Sequence, residues 1–361
     1  MKTELLFVVD QLEAGGLERQ LSYLISQLSK DPELRVSCFV WNYSENAYYF
    51  RFFKEHISGD LLGANSADSF RARQKLLRKQ VISTTPKFVV SYSNFTNFQA
   101  FLASLFIPSK AFGAMRSSAA YMLDSISVKK VLSLLFPLSI ISNSQVAIGE
   151  LREKWWLRHI DYRFFPNFID LKSFTQKQTT GRDEYNSISV GTLLPEKRLA
   201  RLFDLIAEVK KEKPDIKHIH LGDGPLMEEY QKKVVELNLQ ENLVFHGKTK
   251  AVGDFLANSQ IFVHFSDFEG TPNVVLEGMA LGMPIISTNC GDVERYVFEG
   301  KNGFIIKKDK DYSHEKCHRD YMRLLEDSEL RSNMGQASYN EIKKYRIENM
   351  ARHFKEVVSL R

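Results

Sequence analysis

The chain has 361 residues, of which 43% are hydrophobic and 26% are charged. These fractions are typical of a globular protein and exclude a disordered chain, a collagen and a disulfide miniprotein. A single core stops growing at about 250–300 residues, so the length predicts two domains. The net charge of +5 suits an anionic ligand or an anionic membrane surface, but by itself it does not indicate nucleic-acid binding.

The N-terminal segment forms a short apolar run over residues 4–10 that ends at Asp10, which predicts a buried strand rather than a signal peptide. No stretch reaches about 18 apolar residues, so no membrane-spanning helix is expected. The three cysteines are an odd and sparse set and fit reduced core residues. We therefore expect a cytoplasmic protein and leave open a peripheral position at the inner face of the membrane.

Short apolar runs alternate with amphipathic segments along the chain. The first series of predicted strands covers residues 4–10, 35–41, 87–92, 110–115 and 138–143. The second series covers residues 187–191, 218–222, 243–247, 261–266, 284–289 and 303–306. Strands that alternate with helices form parallel sheets covered on both faces. The pattern predicts an α/β protein of two doubly wound, Rossmann-like domains.

We place the domains at residues 1–168 and 169–344, with a hinge near 166–175 where a proline precedes a polar loop. The segment 349–360 keeps an apolar stripe although the second sheet is already complete. Two alternatives remain open for it: residues 345–361 complete the first domain, or they cap the second. Open sheets bind ligands at the carboxyl ends of their strands, so the loops after the strands are the places to search.

One such loop leads into a well-marked helix start. Gly270 is followed by Thr271, a good N-cap, and by Pro272, which fits the first helical position. The helix start then presents backbone N–H groups around Asn273 and Val274, an arrangement suited to an anion. The same pattern is also that of an ordinary capped helix.

The segment EGTPNVVLE, residues 269–277, holds two glutamates eight positions apart around a Gly-x-Pro. It resembles the signature of the retaining glycosyltransferases of group 1, which have the GT-B fold. Other segments match the family in order: AGGLERQL (14–21), FPNFID (165–170), VGTLLPEKR (190–198), LGDGPLM (221–227) and CGDVERYVFEGKNGFII (290–306). The resemblance implies two Rossmann-like domains that face each other across a deep cleft.

The resemblance also implies roles for single residues. Lys197 would bind the donor diphosphate, because a lysine is a compact charge suited to phosphate. The family usually adds an arginine where this chain has Thr192, and Arg198 is the candidate substitute for that charge. Glu269 would hydrogen-bond the donor sugar near the developing cation. Glu277, in the second turn of the helix, would hold the ribose.

Glycines follow several of the predicted strands. Gly15 and Gly16 follow the first strand, where glycine lets backbone N–H groups approach a ligand closely. Gly222 and Gly224 would leave room for a base or a ribose edge, and the loop near Lys248 would cover the base. Simple tight turns are the alternative at each place.

The first domain departs from the family pattern. Many members have a histidine after the strand that corresponds to residues 110–115, whereas this chain has Arg116. An arginine is no general base, but it can bind a leaving diphosphate or an acceptor oxygen. Residues 71–80 carry five cations and no acid, and residues 151–165 mix cations with tryptophans, the composition of an interfacial helix. Solvated or core-packed helices are the alternative.

We therefore predict a retaining hexosyltransferase that moves a sugar from a nucleoside-diphosphate donor, taken as a UDP-sugar, to a hydroxyl of a glycan or polyprenyl-linked lipid acceptor. The setting implied is bacterial surface polysaccharide, O-antigen or lipopolysaccharide synthesis. The helix start, Lys197 and the Gly15–Gly16 amides would stabilise the departing charge, so neither a metal nor a cofactor is expected. Two alternatives remain: a non-catalytic GT-B scaffold and a GT-B sugar-nucleotide epimerase.

Overall fold

The computed structural model describes residues 2–124, 127–175 and 184–360. It forms two compact units, residues 1–168 with 347–361 and residues 169–346. Each unit is a parallel sheet with helices between its strands. The predicted α/β class with two doubly wound domains is therefore confirmed. Most of the predicted surface loop at 175–184 lies outside the described residues.

The first unit follows the strand-and-helix alternation of its sequence. Its strands are β1 (Thr3–Val9), β2 (Leu34–Val40), β3 (Leu61–Gly63), β4 (Phe88–Ser91), β5 (Lys110–Met115), β6 (Ser139–Ser142) and β7 (Asp161–Phe164). Its helices, apart from the last one of the chain, are α1 (Gly16–Leu28), α2 (Phe50–His56), α3 (Phe70–Thr84), α4 (Asn97–Ser104), α5 (Ala119–Asp124), α6 (Val128–Leu135) and α7 (Gln145–Glu153). The sheet order is β3-β2-β1-β4-β5-β6-β7, so the strand order reverses between β1 and β4.

The two edge strands of this sheet, β3 and β7, are not among the predicted strands. The segment 151–165, for which the sequence left open an interfacial helix or a solvated or core-packed one, is instead the end of α7, a short 3₁₀ turn at Trp155–Leu157 and strand β7. Trp155 is 80% exposed, whereas Trp156 packs against the core beside Leu157. The pairing of β7 with β6 overrides the helical interpretation of the end of this segment.

The second unit repeats the architecture. Its strands are β8 (Tyr185–Val190), β9 (His218–Leu221), β10 (Leu243–Gly247), β11 (Ser259–His264), β12 (Ile285–Thr288) and β13 (Gly303–Ile306). Its helices are α8 (Lys172–Thr175), α9 (Ala200–Glu212), α10 (Met227–Glu236), α11 (Val252–Ala257), α12 (Asn273–Ala280), α13 (His314–Glu326) and α14 (Ser328–Ile342). The order β10-β9-β8-β11-β12-β13 reverses between β8 and β11.

The last helix, α15 (Met350–Val358), belongs to the first unit. The ring of Phe354 lies 5.6 Å from that of Phe7 and 5.5 Å from that of Phe165. Lys355 forms an ion pair with Asp31 at the end of α1. The apolar stripe of α15 is thus buried on the first sheet, one of the two arrangements that the sequence left open.

None of the helices in the described part of the chain is long and apolar enough to cross a membrane. The three cysteines are buried and unpaired.

Candidate functional site

The reversal of strand order in the second unit defines where its ligand site lies. Chain segments leave β8 and β11 toward opposite sides of the sheet, so a crevice opens beyond the carboxyl ends of these two strands. The loop after β8 carries Lys197, and the loop after β11 carries Glu269. The topology therefore brings together two predicted site residues that are 72 positions apart.

Lys197 and Glu269 form an ion pair. Nζ of the lysine donates to Oε1 of the glutamate, and the two side chains are 25% and 18% exposed. Lys197 ends a 3₁₀ turn, Pro195–Lys197, and the next residue has φ of 47°, which turns the chain into α9. The pair is partly shielded from solvent, where electrostatic attraction is stronger than at an open surface.

The two loops are also joined beneath this pair. The buried carboxylate of Asp267, 1% exposed, accepts from the guanidinium groups of Arg198 and Arg201, the latter at 3.2 Å. The backbone N–H of Asp267 donates to the carbonyl of Glu196 at 2.9 Å. The charge of Arg198 is thus balanced by a buried acid in this structure, and its expected role as a substitute phosphate ligand stays a prediction.

Helix α12 begins one residue later than predicted. Pro272 has ψ of 110° and is the N-cap rather than the first helical residue, so the first turn starts at Asn273 followed by Val274. The buried residue Thr271 precedes the cap. A hydrogen bond holds the preceding loop: the carbonyl of Gly270 accepts from the backbone N–H of Asp292 at 2.9 Å. The amino end of α12 thus follows directly from the loop of Glu269.

Glu277 lies in the second turn of α12 and is buried. Its carboxylate is therefore a shielded group of this helix rather than a solvated one. The structure places it on the same helix whose first turn was predicted to face the anion. Its predicted contact with a ribose stays a prediction.

The glycine loops after β8 and β9 pack backbone against backbone. A Cβ atom at Gly222 would overlap the carbonyl oxygen of Gly191, and one at Gly224 would lie 2.6 Å from the carbonyl oxygen of Leu193. These glycines are required by close packing whether or not a base binds beside them. Lys248 is an exposed residue of the bend that follows β10.

Sequence reasoning missed a buried polar chain that crosses this sheet. Each link is a hydrogen bond of 2.6–3.0 Å. Its members, in order, are Tyr321, Ser187, His218, Ser189, His220 and the carbonyl of Gly191. A carbonyl only accepts, so Nε2 of His220 carries a proton and Nδ1 accepts from Ser189. Ser189 in turn accepts from Nε2 of His218, and the direction of the whole chain is fixed.

Both imidazoles of this chain are neutral. Burial lowers the pKa of His220 to about 4, and burial holds the pKa of His218 well below its usual range. The sequence carries one signal for these two residues, their alternation within β9. The chain of hydrogen bonds connects α13 to the loop after β8, and so it orients the carbonyl of Gly191.

In the first unit, an acidic side chain lies beside the glycine loop that follows β1. The carboxylate of Glu18 lies over Gly15, at the place that a Cβ atom of this glycine would occupy. Burial raises the pKa of Glu18. Gly15 and Gly16 are exposed, but an acid stands beside the backbone amides that were expected to meet a diphosphate.

Arg116 follows β5 and stacks on aromatic rings. Its guanidinium lies 4.1 Å from the ring centroid of Tyr92 and 5.6 Å from that of Phe165. Its Nε and Nη1 atoms are buried and have no hydrogen-bond partner in the described part of the chain. Its backbone N–H donates to Asn94 at 3.0 Å, in the loop after β4. Burial lowers the pKa of Arg116, because a shielded cation without an anion is costly.

The structure thus brings Lys197, Glu269 and the start of α12 to one crevice of the second unit. Arg116 and the Gly15–Gly16 loop lie in the first unit, each at the carboxyl end of a strand. The predicted roles of these residues stay predictions.

Comparison with known proteins agrees with this geometry. The profile of the family "Glycosyl transferases group 1" matches residues 172–341. The Vi polysaccharide biosynthesis protein VipC/TviE of Salmonella typhi is 36% identical over 103 residues, which cover 28% of this chain and 18% of that protein. The N-acetylgalactosamine-N,N'-diacetylbacillosaminyl-diphospho-undecaprenol 4-alpha-N-acetylgalactosaminyltransferase of Campylobacter jejuni is 28% identical over 214 residues, 58% of this chain and 57% of that one. The chain therefore spans less than two thirds of these curated relatives.

The fold is shared over the whole chain. A crystal structure of Anabaena Alr3699/HepE in complex with UDP and glucose superposes with a TM-score of 0.80 at 15% identity, covering 99% of this chain and all of that one. At this identity the likeness concerns the fold. The match of residues 172–341 to the group 1 profile and the shared GT-B architecture confirm the resemblance to the group 1 glycosyltransferases that was drawn from the sequence.

Proposed function

We propose that this chain transfers a sugar from a nucleoside-diphosphate donor to a hydroxyl of a glycan or lipid-linked acceptor, with retention of anomeric configuration. The setting we propose is bacterial surface polysaccharide or lipopolysaccharide synthesis. The observation that carries the proposal is the Lys197–Glu269 ion pair beside the start of α12, at the strand-order reversal of the second sheet. UDP is the proposed nucleotide, supported by the likeness to the UDP-bound HepE structure.

The proposed chemistry follows from charge. When the bond between the sugar and the diphosphate breaks, negative charge grows on the leaving group and positive charge on the sugar ring. The Lys197 ammonium and the backbone N–H groups of α12 stabilise the anion, and each such group is worth about 3 kcal/mol to the transition state. The carboxylate of Glu269 hydrogen-bonds the donor sugar and stabilises its positive charge. Glu277 binds the ribose.

In the first unit we propose that Arg116 binds an anionic or hydroxyl oxygen of the acceptor or of the leaving diphosphate. Its two unpartnered donors, Nε and Nη1, support this role. Arg116→Lys keeps the charge but loses the planar fork, whereas Arg116→Gln loses the charge. We expect the lysine variant to retain more transfer activity than the glutamine variant. Equal activity of both variants and the wild type would remove Arg116 from the mechanism.

We propose further that transfer needs no metal ion, because the helix start and Lys197 supply the positive charge. Transfer activity that survives an excess of EDTA supports this proposal. Activity that EDTA abolishes and that only Mg²⁺ or Mn²⁺ restores contradicts it.

Peripheral contact with an anionic membrane is a separate part of the proposal. Arg71, Lys75 and Lys79 recur every fourth residue on the exposed face of α3, beside the exposed side chain of Ile82. Arg73 and Arg78 are engaged within the protein, with Asn42 and with the last carbonyls of α4. We expect the protein to co-sediment with anionic vesicles and not with neutral ones. The variant in which glutamine replaces all three exposed cations should no longer co-sediment.

The central experiment has two stages. Thermal shifts with UDP, GDP and ADP identify the nucleotide, because stabilisation grows with ligand concentration over Kd. Release of the nucleotide from the matching sugar donors is then measured with and without glycan and polyprenyl-linked acceptors. We expect turnover in the wild type and its loss in Lys197→Ala and Glu269→Ala.

Matched controls are Lys233→Ala and Glu236→Gln, an exposed pair on α10 that should leave turnover unchanged. Nucleotide binding without turnover would identify the non-catalytic scaffold. Free epimerised sugar nucleotide without acceptor would identify the epimerase. The anomeric configuration of the product, read by proton NMR, tests retention.

A further inference from the structure

A second group faces the carboxylate of Glu269. His264, the last residue of β11, is 4% exposed, and its ring lies parallel to that of Phe262. Its Nε2 atom is 3.6 Å from Oε1 of Glu269. Nε2 is buried and has no hydrogen-bond partner among the described residues. Buried polar atoms are nearly always hydrogen-bonded, so this atom requires an explanation.

The imidazole is neutral at ordinary pH. Burial lowers the pKa of His264 to about 4, and the nearby Lys197 acts in the same direction, against the opposing effect of Glu269. A neutral imidazole carries one ring proton. With a carboxylate opposite Nε2, the tautomer that carries the proton on Nε2 is favoured.

The same carboxylate oxygen has another partner. Oε1 of Glu269 is the atom that accepts from the Lys197 ammonium, so the oxygen lies between a lysine and a histidine. In the proposed function the ammonium must turn to a diphosphate. A mostly buried carboxylate that loses its cation is strongly destabilised unless another donor replaces it.

We propose that His264 is a positioning residue: it donates a hydrogen bond to the carboxylate of Glu269, in place of Lys197, when the Lys197 ammonium turns to an anionic ligand. The Nε2···Oε1 separation closes from 3.6 Å to about 2.9 Å, an ordinary hydrogen bond. His264 thereby makes the lysine available to phosphate and keeps the carboxylate oriented in the crevice. This inference rests on the proposed function, because it needs an anion that competes for the ammonium.

The test is a set of substitutions at His264 with matched reach. In His264→Gln the amide nitrogen can occupy the place of Nε2, whereas in His264→Asn it occupies that of Nδ1 and falls short of Glu269. His264→Phe keeps the ring and removes the donor. UDP affinity is measured by calorimetry, with GDP and ADP in parallel, and a thermal melt confirms folding of each variant.

With Glu269 present, we expect His264→Asn and His264→Phe to weaken UDP binding about tenfold, as the loss of one buried hydrogen bond would. His264→Gln should stay within about threefold of the wild type. In the Glu269→Gln background the ammonium is already released, so the same His264 substitutions should change UDP affinity by less than about twofold.

The outcomes separate the two proposals. Equal losses in both backgrounds, or an unchanged affinity in His264→Phe, would overturn the role of His264 while nucleotide binding stands. Equal behaviour of the Gln and Asn variants would also overturn it. A wild-type chain that binds none of the three nucleotides would overturn the proposed function and, with it, this inference.

Discussion

The α-carbon of Gly222 faces the carbonyl oxygen of Gly191 so closely that a Cβ atom on it would overlap that oxygen. Gly222 also has φ of 144°, a conformation that L-residues rarely adopt. By contrast, a Cβ atom at Gly191 would meet nothing within 4 Å, and its backbone is not in the left-handed region. Gly191 should therefore accept an alanine side chain, whereas Gly222 should not.

Gly222→Ala should destabilise the second unit by at least about 2 kcal/mol, from backbone strain alone. Gly191→Ala should change the free energy of unfolding by less than about 0.5 kcal/mol, as surface substitutions do. Urea unfolding monitored by circular dichroism measures both. Similar stability of the two variants would show that the two loops can separate at little cost in free energy.

The buried chain of hydrogen bonds through the second sheet predicts how strongly two substitutions destabilise the protein. Ser189→Ala removes its central hydroxyl and leaves a donor on His218 and an acceptor on His220 without partners. Each orphaned buried group costs about 1–3 kcal/mol, so a loss of about 3 kcal/mol in unfolding free energy is expected. Tyr321→Phe removes only the first donor and should cost about 1 kcal/mol. The reverse ranking in chemical denaturation would contradict the central place of Ser189 in this chain of hydrogen bonds.

Acid should destabilise the second unit through its neutral histidines. Burial lowers the pKa values of His220 and His264 to about 4 in the folded state, and it holds the pKa of His218 well below its usual range. Unfolded histidine titrates near 6.5, so between about pH 6.5 and 4 the unfolded state binds more protons. Stability is therefore fully present above pH 6.5 and falls as the pH decreases.

Each such histidine contributes a slope of up to about 1.4 kcal/mol per pH unit within this window. Unfolding free energies from urea titrations at pH 7.5, 6.0 and 5.0 measure the sum. His220→Gln retains a donor toward Gly191 and cannot titrate, so it should flatten the profile. An unchanged slope in this variant would place the acid sensitivity elsewhere.

Neutralising Asp267, the buried acid that joins the two loops, should destabilise the protein more than neutralising an exposed acid. Asp267→Asn leaves Arg201 partly buried without its anion, and we expect a loss of about 3 kcal/mol. Turnover should also fall, because the loops that carry Lys197 and Glu269 lose their link. Glu55→Gln, which breaks the exposed pair with Arg51 in α2, serves as the control and should leave the free energy of unfolding nearly unchanged. Comparable losses would contradict the bracing role of Asp267.

Much of the fold could be predicted because the information is local. The continuous apolar runs of β1 and β5 and the alternation with amphipathic helices indicate buried parallel strands. The edge strand β3 has three residues and β7 mixes charged with aromatic residues, so neither carries a periodicity that distinguishes a strand. Their pairing is decided by the neighbouring strand, not by their own sequence.

The start of α12 shows the limit of local reasoning. The pattern Thr-Pro predicted the helix within one residue, but the backbone angle of Pro272 shifts the cap from Thr271. The loop before it is held by the backbone N–H of Asp292, which donates to the carbonyl of Gly270, a contact that the local pattern does not indicate.

Residue type and spacing are enough to predict the two α/β domains, the resemblance to the group 1 glycosyltransferases and the candidates Lys197 and Glu269. They do not predict that these two side chains pair, that Asp267 neutralises Arg198, or that His264 faces the same carboxylate. The physical reason is that strand order in a parallel sheet is set by packing of the whole unit. It juxtaposes the ends of β8 and β11, which about 70 intervening residues keep apart along the chain.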